Sequence, residues 1–463
     1  MLHLINRKRR MDKYMFTYLK LKNFKSFKNV EINLQSKGNK PKPLVIIYGA
    51  NGSGKSTIAK AFSTLQKTME TMQVRDMLKN LLDNKLLPPE DMPIKSEIVL
   101  DIIKNNLMRN TIEKVIADCK MIDTIDTMVL EYGFNIMGNG GSYYIEMNDN
   151  NIVKERLEYK LSRNKSCYFN IEDNKIEINE KIFGSNSFLE DIKKQLNMYW
   201  GKHSFLSILL YEMTEKSDSY IESSISNNFK DVIHELLNIN YNVKKMHADE
   251  SSSASVNSTI LDNLSSGVIN KSEEETLNRV EFLINDFFVS LFDDVNRAYY
   301  KKNETNEKIR YNLYLSKNIE QHEYNIDFKN ESTGTQEILD VLPYLMLAVS
   351  GKCVIIDEFG NAIHDLLATK LLKTISKDIK GQLILTTHNT IIMDQADIKP
   401  ESLYFIMNDN TFKKSVKCIT DIEDRTHPNY NYRNRYFTNK LYSDGLPKGS
   451  DDINVKDLAD LYV

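Results

Sequence analysis

An α/β fold built around a mostly parallel sheet is predicted by three features of this chain. An apolar run, Leu44-Val45-Ile46-Ile47-Tyr48, leads through the glycine-rich Gly49-Ala50-Asn51-Gly52-Ser53-Gly54-Lys55-Ser56 into a helix-compatible stretch over 56–62. A second apolar run, Cys353-Val354-Ile355-Ile356, ends in Asp357-Glu358. A third, Leu383-Ile384-Leu385-Thr386-Thr387, ends at His388. Short continuous apolar runs alternating with helix-forming segments describe strands covered on both faces.

Taken in order, residues 1–14 carry Arg7-Lys8-Arg9-Arg10 with no apolar run behind them, and read as a basic tail rather than a secretory leader. Alternation over 16–21 and 30–34 gives two short strands around Asn23-Phe24-Lys25-Ser26-Phe27. Beyond the loop helix, Tyr143-Tyr144-Ile145 reads as strand, while 167–171 and 176–178 read as a hairpin about Asp173-Asn174. Leu189, Ile192, Leu196 and Tyr199 recur at helical spacing, as do Val280, Ile284, Phe287 and Leu291. The second helix is expected to open on the capping-box spacing Ser272…Glu275. Between the two, the serine-rich 249–270 segment reads as a mobile loop or lid. After a strand at Ile326 and Phe328, a turn is expected over 332–336, a helix over 337–349 and another over 365–377. This divides the chain into a discontinuous head (15–183 and 324–410), a helical insertion (184–323) and a C-terminal extension (411–463).

Composition narrows the function classes. The net charge of −3 forces no nucleic-acid partner, so DNA binding would need a local patch such as Lys413-Lys414, Lys417, Arg433 and Arg435. Cys119, Cys167, Cys353 and Cys418 form no C-x-x-C pair, which argues against zinc or disulfides and for a reducing cytoplasm. The longest apolar stretch, 342–349, is too short to span a bilayer, so no membrane role is expected.

The chemistry lies in the loop. Gly49 to Ser56 satisfies G-x-x-x-x-G-K-[ST], whose backbone N–H groups cradle a polyphosphate at a helix N-terminus. Gly49, Asn51, Gly52, Gly54, Ser56 and Thr57 would line the phosphates, Lys55 would reach the β/γ oxygens, and Ser56 would hold Mg²⁺. Asp357 would complete the Mg²⁺ shell and Glu358 would orient and polarise the attacking water. His388, beyond the next strand, is placed to sense the γ-phosphate.

With these residues in place, Glu331-Ser332-Thr333-Gly334-Thr335-Gln336 before the acidic strand resembles the signature of ABC-type ATPases. More closely, NFKSF before GANGSGKST, then ESTGTQ, IIDEFGNAIH and TTHN, resembles the SMC/OLD-like branch of AAA-family ATPases. The resemblance implies an ABC-type head with a mixed sheet and flanking helices. It further implies a homodimer or higher homo-oligomer with ATP and Mg²⁺ sandwiched between heads. Ser332, Gly334 and Thr335 of one head would then act on the partner's nucleotide, with Lys25 lining the site. The Lys55-to-Ser332 interval exceeds that of a transporter head and lacks SMC coiled coils, and too little chain follows His388 for a TOPRIM nuclease. The resemblance therefore implies a regulatory ATPase without its own nuclease. It would act beside a separately encoded nuclease or toxin effector in anti-phage defence, as the ATPase of PARIS-type systems does, answering a phage-encoded trigger. The alternative is a DNA-repair ATPase that clamps DNA.

Overall fold

Every residue of β3 (Leu44–Tyr48) is buried, as is every residue of β15 (Cys353–Ile356) and β16 (Gln382–Thr386). Such strands need cover on both faces, and they lie at the centre of a sheet. The computed structural model describes residues 14–36, 39–82, 107–108, 110–173, 175–243, 251–254, 258–422 and 431–438. The basic tail lies outside the described residues apart from Tyr14, as do 423–430 and 439–463 of the C-terminal extension.

Three sheets form. The chain opens with the hairpin β1 (Tyr14–Phe24) and β2 (Phe27–Asn33), which β4 (Met128–Ile136), β5 (Asn139–Met147), β6 (Ile152–Lys160), β7 (Lys165–Glu172) and β8 (Lys175–Ile178) extend into an antiparallel sheet of order β2-β1-β4-β5-β6-β7-β8. The second sheet adds β9 (Asn240–Val243), β10 (Ser251–Ser253), β17 (Leu403–Asn408) and β18 (Lys414–Cys418), in the order β10-β9-β15-β16-β3-β17-β18. Its five central strands are parallel and its edges antiparallel. A four-stranded antiparallel sheet contains β11 (Ser266–Asn270), β12 (Val295–Glu304), β13 (Lys308–Ile319) and β14 (His322–Asp327). The mixed α/β class expected from the sequence is what the chain adopts.

Helices cover these sheets: α1 (Lys55–Leu82), α2 (Ile112–Cys119), α3 (Asn186–Tyr199), α4 (Phe205–Thr214), α5 (Asp218–Ser224), α6 (Asn227–Leu237), α7 (Thr259–Asp262), α8 (Glu274–Leu291), α9 (Thr333–Val349) and α10 (Asp365–Ser376). One large core runs through both seven-stranded sheets, and a smaller one lies between α8 and the four-stranded sheet. Helix α9 serves both, placing Ile338, Val341 and Leu345 in the first and Leu339 in the second. Buried side chains also join the two large sheets: Tyr404 of β17 donates to the Asn33 carbonyl of β2 at 2.6 Å. Gln382 of β16 accepts from the Phe16 N–H of β1 at 2.7 Å and donates to the Phe16 and Lys42 carbonyls at 3.0 Å each. A register shift in β1 between Phe16 and Tyr18 accompanies that bridge.

Several expectations are corrected. The 184–323 segment is not a helical insertion: α3 to α6 end at β9, which joins the parallel sheet beside β15. The serine-rich loop is structured where described, because Ser251–Ser253 pairs with β9, and 258–270 holds α7 and β11; its residues 249–250 and 255–257 lie outside the described residues. The capping box forms at Asn270 and Glu273, two residues before the expected pair, because a 3₁₀ turn precedes α8. The expected turn at 332–336 is instead the first turn of α9, and β18 places the start of the C-terminal extension inside the sheet.

Candidate nucleotide-binding and hydrolysis site

The glycine-rich loop leaves β3 and ends where α1 begins at Lys55, so loop N–H groups and helix terminus share one focus. Gly52 and Gly54 have φ of +74° and +120°, a region unfavourable to L side chains. A Cβ on Gly54 would also lie 2.6 Å from the Phe27 ring. The β1–β2 turn therefore presses on the loop, with Asn23 and Lys25 at φ of +49° and +47°. Lys25 is exposed on that turn and its N–H is anchored to the Cys119 carbonyl at 2.7 Å. Asn51 is exposed on the loop's rim, and Thr57 is buried in the first turn of α1.

Lys55 Nζ donates to the loop carbonyls of Gly49 (2.7 Å) and Ala50 (3.0 Å). Burial pulls its pKa down to about 8, with the charges of Asp357 and Glu358 opposing. Phosphate binding requires the ammonium, so polyphosphate must favour proton uptake at this group. ATP affinity is expected to be full below about pH 8 and to weaken above it by up to ~10-fold per pH unit. Titration with a fluorescent ATP analogue between pH 7 and 9.5 measures this, and a flat profile contradicts it.

Asp357 is 1 % exposed. Its Oδ1 accepts from the Thr386 hydroxyl at 2.6 Å, while its Oδ2 is buried without a hydrogen-bond partner. Burial pushes the carboxyl up, and the nearby Ser56 hydroxyl favours the charged form, although no hydrogen bond of ordinary geometry reaches Oδ2. An orphaned carboxylate oxygen beside a hydroxyl is a hard-oxygen donor set, and it fits Mg²⁺.

Glu358 turns the chain sharply at φ +53°. Its N–H donates to the Thr386 hydroxyl oxygen at 2.9 Å, and its Oε2 accepts from Asn361 at 3.1 Å. It is only partly buried, unlike its neighbour. His388 is exposed at the strand end, where partial desolvation and then the Lys55 charge lower its pKa against the pull of Glu358. Buried residues on either side hold it in place. Thr387 donates to the Phe359 carbonyl at 2.8 Å, and Asn389 donates to the Asp365 carbonyl at 2.8 Å. Lys55, Ser56, Asp357, Glu358 and His388 thus converge.

The signature residues open α9, which packs against the loop after Glu358. Ser332 caps α9, accepting from the Thr335 N–H at 3.2 Å, and the two hydroxyls are 2.9 Å apart. Gly334 passes so close to the loop after Glu358 that a Cβ would sit 2.7 Å from the Ala362 carbonyl oxygen. Gln336 turns inward onto the Lys329 and Glu331 carbonyls, both at 3.0 Å. Ser332 is exposed, and its hydroxyl is engaged with Thr335 rather than with the glycine-rich loop.

Sequence reasoning missed three residues. The roles of Thr386 and Asn361 are not readable from the sequence because their partners depend on strand register and on the turn after Glu358. Lys414 stood only among the DNA-patch candidates. It reaches back to the glycine-rich loop, donating to the Gly52 carbonyl at 3.3 Å and lying over the Phe27 ring at 5.7 Å.

A family model described as "AAA domain, putative AbiEii toxin, Type IV TA system" matches residues 134–394. The chain belongs to this AAA-domain family. A second AAA-domain model matches residues 18–65, which include the loop. Membership makes the protein an AAA-type ATPase. No curated protein matches the sequence. Among solved structures, the AAA protein is similar to the Smc head domain with an extended coiled coil bound to the C-terminal domain of ScpA from Pyrococcus furiosus (13 % identity, 87 % of this chain and 96 % of that chain, TM-score 0.35). It is also similar to the recombination mediator protein RecF–ATPrS in the RecFOR pathway (10 % identity, 88 % and 98 %, TM-score 0.34). No described helix is long and apolar enough to cross a membrane.

Proposed function

We propose that this AAA protein is a Mg-ATP-driven switch whose heads associate in pairs and whose nucleotide state governs a separately encoded nuclease or toxin in anti-phage defence. The convergence of Lys55, Ser56, Asp357, Glu358 and His388 carries the hydrolytic part. Gly49, Asn51, Gly52, Gly54 and Thr57 shape the phosphate cradle, and Lys25 stands at its rim. Lys55 binds the β/γ oxygens; Ser56 and Asp357 would hold Mg²⁺, which would offset the phosphate charge. Glu358 accepts a proton from water as the water oxygen attacks the γ-phosphorus. The bond from that phosphorus to the β–γ bridging oxygen breaks, and ADP and phosphate leave. Neutral His388 donates a hydrogen bond to a γ-phosphate oxygen.

Exposed Ser332 and neighbouring Gly334 would meet a triphosphate held by a second copy, while buried Thr335 would hold the Ser332 hydroxyl in place. The family's description, which names a toxin and a type IV toxin–antitoxin system, supports the defence setting. Light scattering tests the switch. Mg-ATP is expected to double the particle mass of a Glu358→Gln variant, and ADP is not. A variant that binds ATP yet stays a monomer would refute the paired-head model. Co-purification with the product of an adjacent nuclease or toxin gene tests the effector; salt-sensitive DNA binding without such a partner would favour the repair reading.

A further inference from the structure

Asp357 and Glu358 are neighbours with the same chemical group, yet one is buried and the other partly exposed. One side chain contacts both. In the parallel register Leu385 stands opposite Ile356, so Thr386 comes one step beyond, level with Asp357. Thr386 is 1 % exposed, and its hydroxyl works in both directions. It donates to Asp357 Oδ1 at 2.6 Å and accepts from the Glu358 N–H at 2.9 Å.

We propose that Thr386 is a positioning residue that gives the two carboxylates their separate roles. Its donated hydrogen bond occupies Oδ1, which leaves Oδ2 as the oxygen presented to a cation beside Ser56. Its accepted bond secures the Glu358 N–H in the left-handed conformation that turns the side chain out toward Asn361. A carboxylate left to rotate would offer either oxygen, and an unsecured Glu358 backbone would relax from a conformation that L residues disfavour. Because Thr386 lies two residues before His388, the same hydroxyl ties that strand to both acids. This rests on the ATPase reading above.

The test compares Thr386→Val, which keeps the shape and loses the hydroxyl, with Thr386→Ser, which keeps the hydroxyl. The probes are Mn²⁺, followed by electron paramagnetic resonance with a non-hydrolysable ATP analogue, and a fluorescent ATP analogue without metal. Thr386→Val is expected to weaken Mn²⁺ binding by ~10–100-fold while metal-free nucleotide affinity stays within about twofold. Thr386→Ser is expected to restore Mn²⁺ binding. Thr386→Ala serves the same comparison where circular dichroism shows the valine variant unfolded. Wild-type Mn²⁺ affinity in the hydroxyl-free variant, or no recovery in a folded serine variant, overturns the proposal. A wild-type protein that holds no Mn²⁺ with nucleotide overturns both this proposal and the ATPase reading.

Discussion

Glu358→Gln is expected to slow ATP turnover by ~10²–10⁴-fold, the usual contribution of a positioned general base. ATP affinity should stay within about twofold of wild type, since that carboxylate belongs to the chemical step and not to phosphate binding. The substitution is well suited to the site. Glutamine preserves length and an oxygen that can still accept from Asn361, and it leaves the backbone bond to Thr386 untouched. What it removes is the capacity to take a proton from water. Phosphate release under single-turnover conditions, alongside equilibrium binding, separates the two quantities. Turnover equal to wild type would remove Glu358 from the mechanism.

Lys55→Ala is expected to abolish measurable nucleotide binding. Losing a buried cation that pairs with phosphate costs about 2–5 kcal/mol, or a ~30- to several-thousand-fold loss of affinity. The fold should tolerate the change, because the glycine conformations and the helix start belong to the backbone, while Nζ contacts only two loop carbonyls. Isothermal titration with ATP reads the loss, and circular dichroism checks the fold. Near-wild-type affinity in a folded variant would mean that the glycine-rich turn is merely a turn.

Much of this site was legible in the amino-acid order because its parts are short and local. The glycine-rich loop needs positive φ at two positions and a lysine at a helix start, and those demands leave a contiguous signature. The acidic strand and the strand ending at His388 are continuous apolar runs, which reveal their burial directly. β9 gave no such signal. It is four residues long, and its buried Asn240 reads as a turn former, although its amide donates to the Asn238 and Cys353 carbonyls inside the sheet. The serine triplet of β10 reads as loop for the same reason, since its strand character comes entirely from pairing with β9. Thr386 escaped notice because its role depends on which residue the neighbouring strand places opposite it. Lys414 escaped because its partner, Gly52, lies hundreds of positions earlier.

The Gln382 bridge bears on how a nucleotide signal would travel. The strand that ends beside His388 begins at Gln382, whose amide grips both the donor and the acceptor of Phe16. An extended segment resists stretching, so a small axial displacement at its His388 end would not be absorbed along its length. Such a shift would pass through the Gln382 amide to the first strand of the antiparallel layer.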